Sequence, residues 1–81
     1  MYTFHTFNLA RVESKSDTVD FLNGECDAIY TGSESDITVV FDDDTTCTFT
    51  AVPKGTVLPI KAKRINSTNT GSGPFVALYR K

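Results

Sequence analysis

The chain has little with which to build catalytic or metal chemistry. Its 81 residues include two cysteines, one histidine, one methionine and no tryptophan. Cys26 and Cys47 are too few for the disulfide framework that staples many small secreted domains. His5 is the sole imidazole, at spacings unrelated to either thiol, so a four-ligand zinc site lacks its donors. The longest unbroken apolar run is Phe75-Val76-Ala77-Leu78-Tyr79, against the roughly 20 residues a spanning helix needs. The opening MYTFHTFNLARV has no basic stretch followed by an apolar block, so no secretory leader is expected and both thiols are expected to stay reduced. Acidic residues are also missing from the second part of the chain. None follows Asp44, whereas Lys54, Lys61, Lys63, Arg64, Arg80 and Lys81 are all basic.

What is present has a period of two. Ile37, Val39 and Phe41 fall on one face of a strand, as do Cys47, Phe49 and Ala51 opposite Thr48 and Thr50. Leu58, Ile60 and Ala62 alternate with Pro59, Lys61 and Lys63. Asp27 to Thr31 reads as another strand, Phe75 to Tyr79 as a deeply buried one, and Tyr2 to Val12 as a further one near the N-terminus. The abundant Thr, Val and Ile suit a pleated surface. Val52-Pro53-Lys54-Gly55 fits a type I reversal, and Ser67 to Pro74 is a polar loop. Only Ser14 to Asn23 has helical cues, since Ser14 and Asp17 have capping-box spacing and Gly24 can end a turn. The expected fold is all-β: a small, single-domain antiparallel sandwich or barrel of about six strands over residues 1–81. Residues 1–13 form an extra strand or an interaction arm. A domain this small buries only about 60–65 % of its unfolded surface, so a homo-oligomer is expected.

Candidate chemistry reduces to bland readings. Phe41-Asp42-Asp43-Asp44-Thr45-Thr46-Cys47 lies between two alternating strands, so its carboxylates form a hairpin loop with Asx hydrogen bonds. A calcium loop would need oxygen ligands over about twelve residues with a glycine and a distal glutamate. Cys47 shares a face with Phe49 and is expected to pack as a small hydrophobe. Gly71-Ser72-Gly73 precedes a strand rather than a helix and so is no phosphate loop. No cofactor, catalytic residue or metal site is expected. The split between an acidic first part and a basic second part has two explanations of equal weight. One is pairing within a subunit; the other is a protomer with one acidic and one basic flank, joined head to tail. In the second case Asp42, Asp43 or Asp44 meets Lys61, Lys63 or Arg64 of a neighbour, with Phe4 and Phe7 supplying apolar contact.

An ordered series of short motifs then carries a resemblance. Ala28-Ile29-Tyr30-Thr31-Gly32 is followed by Asp36-Ile37-Thr38-Val39. The stretch from Val52-Pro53-Lys54-Gly55 through Leu58-Pro59-Ile60 to Arg64-Ile65 comes next, and Val76-Ala77-Leu78-Tyr79 closes the series. Over roughly residues 17 to 79 this resembles the spike base proteins of gene transfer agents and related tailed phages. The resemblance implies a non-enzymatic virion protein on the head surface, made in the bacterial host cytoplasm. It would act as a spike base, decoration or cement protein bound to the major capsid protein and to itself, as a pentamer or trimer, with a spike or fibre protein as a further partner. The alternative from another class is a small barrel binding single-stranded nucleic acid or glycan. It would use Lys61, Lys63 and Arg64 as phosphate contacts, with Tyr30 or Tyr79 for stacking.

Overall fold

The computed structural model describes residues 7–80, and the expectations for Phe4 and His5 lie outside them. Seven strands follow in chain order: β1 Leu9–Glu13, β2 Ala28–Thr31, β3 Ser35–Val40, β4 Thr46–Val52, β5 Val57–Leu58, β6 Arg64–Ile65 and β7 Phe75–Tyr79. They form two antiparallel sheets, one of four strands in the order β1-β7-β2-β5 and one of three in the order β4-β3-β6. The core lies between them. Ile29, Phe75, Ala77 and Tyr79 from the first sheet meet Ile37, Val39 and Ile65 from the second, all buried. The all-β expectation therefore resolves to a sandwich, with one strand more than the pattern suggested.

Most of the alternation is kept, and the departures have local causes. The stretch Leu58 to Ala62 alternates in burial as its sequence does, yet only Val57–Leu58 joins a ladder. Pro59 has no N–H to give, and Ile60 N bonds back to Leu58 O at 2.9 Å. The chain there crosses from the first sheet to the second, re-entering as β6. Cys47 does not pack inward. It is exposed because β4 is an edge strand with nothing beyond it among the described residues to cover the thiol. The reversal expected at Val52-Pro53-Lys54-Gly55 closes one residue later, through Thr56 N to Pro53 O at 3.2 Å, with Gly55 at φ 83°. A left-handed third residue marks a type II turn, which glycine accepts without strain.

Ser14 to Asn23 forms no helix, because its polar groups bond to the rest of the molecule instead. Ser16 Oγ accepts from the amides of Thr18 and Val19 in a local turn. The Asp17 carboxylate accepts from Thr68 N at 2.9 Å and Thr68 Oγ1 at 2.7 Å. The backbone of this segment then runs beside the crossover: Ser16 N donates to Ile65 O, Phe21 N to Lys63 O and Cys26 N to Ala62 O, at 2.8 to 2.9 Å. Residues 14–27 thus form a strap laced to residues 60–65. The glycine-bearing loop after β6 lies against β3. Gly71 N donates to Asp36 O, and a Cβ at Gly71 would sit 2.4 Å from that of Ser35.

Candidate functional site

The acidic loop is the hairpin turn between β3 and β4. Asp43 accepts from Thr45 N at 3.2 Å and Thr45 Oγ1 at 2.7 Å, and these bonds hold its carboxyl below the usual range. Asp44 sits at φ 70° and pairs with Lys63. The remaining cations of the basic cluster are also engaged within the chain. Lys61 binds Asp27, and Arg64 reaches Asp20 at 2.7 Å and Asn66 at 3.2 Å. Lys61 and the Arg80 amide together lower the Asp27 carboxyl, while Asp27 and Asp44 raise Lys61 and Lys63. Every one of these pairs joins the acidic first part to the basic second part, so pairing within a subunit accounts for much of the split. Of the residues singled out for an interface, the structure brings Lys63 to Asp44 and leaves Asp42 exposed without an ion partner among the described residues. Phe7 is half-buried in a groove beside Pro59, Lys61 and Arg80.

The feature that sequence reading missed lies on the outside of the four-stranded sheet. In β7 the side chains of Phe75, Ala77 and Tyr79 point into the core, so Val76 and Leu78 point out. Register carries that outward row across all four strands. Val12 lies opposite Val76, Val76 opposite Tyr30 and Tyr30 opposite Val57. The next row is Ala10, Leu78 and Ala28. Neither row contains a charged or amide side chain. Val12 is 73 % exposed, Val57 44 % and Tyr30 37 %.

A mixed groove of about 460 Å³ follows at the β1 edge, where Val12, Val19, Phe21 and Leu22 stand among Arg11, Glu13, Ser14, Ser16 and Asp20. Leu22 is 81 % exposed and Val19 67 %. Each large apolar residue that is exposed among the described residues therefore lies on this belt. Glu13 sits at its rim with Oε2 buried and without a hydrogen bond; the nearest cation is Arg11 Nε at 3.8 Å. Burial raises its carboxyl and Arg11 opposes the shift.

The outside of the three-stranded sheet is different in kind. Its rows are Thr46-Val40-Arg64 and Thr48-Thr38, the latter pair joined at 2.8 Å between hydroxyls. Val40 and Thr38 are covered; Thr38 bonds to Asn69 O and to the Thr70 hydroxyl. One side of the molecule is apolar and the other is threonine. Tyr79, offered by sequence as a stacking residue, is buried with its hydroxyl on Gly24 O at 3.2 Å, and its ionisation is pushed up to about 12 by that burial. It has no free ring face for a base, and Lys61, Lys63 and Arg64 are each neutralised by a carboxylate. The nucleic-acid reading is therefore not favoured.

Among the described residues, a seven-stranded antiparallel sandwich with one partly exposed apolar face is thus the class of protein that the geometry defines. No family model matches the chain, and no curated protein does. Among solved structures it is similar to a chain of the capsid of a native GTA particle computed with C5 symmetry. The TM-score is 0.80 at 18 % identity, over 90 % of this chain and 83 % of that one. At that identity the likeness is one of fold.

Proposed function

We propose that this protein is a non-enzymatic structural component of a virus-like particle, seated on the capsid surface as a spike base, decoration or cement protein. The observation that carries the reading is the fold likeness, over most of both chains, to a chain of a GTA capsid. The apolar belt supports it. An exposed face spanning Val57 to Val12 is of the kind that marks an interaction surface, since soluble monomers rarely leave contiguous apolar patches of more than a few hundred Å². In this reading the belt lies against the major capsid protein, the threonine face points to solvent, and copies of the chain surround a symmetry axis.

The test is the particle. Mass spectrometry of purified particles from the host should find the chain, and a cryo-electron map should place β1, β7, β2 and β5 toward the shell. A chain absent from intact particles would remove the proposal. A chain bound through its threonine face would keep the location and overturn the assignment of the belt.

A further inference from the structure

A sheet edge offers unpaired backbone groups to any passing strand, and proteins normally blunt it with charge, proline, shortness or cover. Among the described residues the sandwich has four edges, and three are blunted. The inward side of β1 carries Arg11 and Glu13, in register with buried Ala77 and Phe75. β5 is two residues long and lies between Pro53 and Pro59. β6 is also two residues long, and the strap covers it through Ser16 N to Ile65 O.

The fourth edge, β4, has none of these devices over most of its length. It is seven residues long, TCTFTAV, without charge or proline, and among the described residues it pairs only with β3. Its one irregularity is at the far end. There Ala51 adopts φ 53° and its amide bonds Asp36 Oδ1, beside a bulge opposite Ser35 to Ile37. Phe41 N donates to Thr45 O, which fixes the phase of the ladder. Alternation then turns the N–H and C=O groups of Thr46 and Thr48 away from β3, toward open space.

We propose that β4 pairs antiparallel with β4 of a second copy, across a two-fold axis at Thr48, to give one continuous six-stranded sheet. Three features of the chain select a second copy as the occupant. An uncharged strand meets its own image without opposing like charges. The register sets Cys47 opposite the partner's Phe49, so the exposed thiol and the half-buried ring cover one another as a sulfur–aromatic contact. The same register brings the Asp42 end of the acidic hairpin beside Lys54 of the other copy. Neither Asp42 nor Lys54 has an ion partner within the chain among the described residues. Edge pairing over so few residues buries less than the roughly 800 Å² per partner of a stable complex. The contact therefore forms at high local concentration, as between neighbours on a surface. It stands whether or not that surface is a capsid.

Cys47 reports on the contact directly. In this register the two Cys47 residues are diagonal neighbours, about 7–8 Å apart, within reach of a short bis-maleimide. Cross-linking purified protein at high concentration should trap dimer about tenfold above a collision control, Cys47→Ser with Ser72→Cys, whose new thiol is also at an exposed position. Lys54→Glu, which sets like charges together, should bring the yield down to that control. Amide exchange at Thr46 and Thr48 should slow between dilute and concentrated wild-type protein. A wild-type yield equal to the control, or edge amides indifferent to concentration, would overturn the pairing. The exchange measurement needs no variant and so does not depend on any substitution folding.

Discussion

Across the outside of the four-stranded sheet run valine, valine, tyrosine and valine; across the outside of the three-stranded sheet run threonine, valine and arginine, then a threonine pair. Both sheets are antiparallel and both press an apolar inner face on the same core, so folding alone does not demand the difference. A solvated outer face is normally polar, and in the second sheet the middle of that face, Val40 and Thr38, is covered by the chain itself. An outer face that is apolar along its whole width reduces solubility and adds nothing to the core. Its presence points to a partner surface. In the second sheet the loop at Asn69 and Thr70 lies on Thr38, whereas Val12 and Val57 stay exposed among the described residues.

Substitutions along β7 test the comparison most severely, because neighbouring residues serve opposite sides. Phe75→Ala removes a ring that is 2 % exposed and should cost about 3–5 kcal/mol, a large share of the stability of a small domain. Val76→Ala, one residue along and half-exposed, should cost under about 1.5 kcal/mol. Chemical denaturation measures both, and equal costs would mean that the faces are misassigned.

The tyrosines sharpen the contrast, since Tyr79 faces in and Tyr30 faces out. Tyr79 is held protonated to about 12, foremost by burial and then by the nearby Glu13 charge. A group whose folded value is raised stabilises the fold below its unfolded value, near 10, and loses that contribution as pH climbs through the folded one. Stability should therefore fall by about 2–3 kcal/mol between roughly pH 10 and 12. Tyr79→Phe should flatten that slope.

For docking, Val12→Lys with Val57→Lys should leave the melting temperature nearly unchanged and reduce incorporation into particles about tenfold, or about 1.4 kcal/mol. Thr50→Lys on the other sheet should not. The smallest expected effect is at Ala51, whose left-handed backbone suits glycine. Ala51→Gly should raise stability by less than about 1 kcal/mol.

The all-β class, the FDDDTTC hairpin and most inward residues were legible because a period of two needs only one buried face to show itself. The apolar belt was written in Phe75-Val76-Ala77-Leu78-Tyr79 but read as depth. A run that is apolar at every position is as consistent with a buried strand as with one facing core and partner at once, and only register with Val12, Tyr30 and Val57 separates them. The phase of Cys47, shared with Phe49, points to packing as a small hydrophobe, yet the thiol is exposed, because β4 is an edge strand and no local pattern states that. The Ser14 to Asn23 strap was misread because Asp17, spaced for a helix cap, found Thr68 some fifty residues away. The crossover at Pro59 preserves alternation while leaving the ladder, so periodicity could not mark where the strand stops.

The strand order of the larger sheet has a consequence for how the chain is made. β7 stands between β1 and β2 and pairs with both, and those two strands share no ladder of their own. A ribosome that has delivered residues 1 to 70 has supplied the β3–β4 hairpin complete, yet the bigger sheet still has a gap where its middle belongs. The nascent chain must therefore keep its apolar segments waiting until residues 75–79 have cleared the exit tunnel, after which the sandwich closes in a single late step. A nonsense codon anywhere before Phe75 should thus yield an unfolded fragment rather than a smaller version of the same domain.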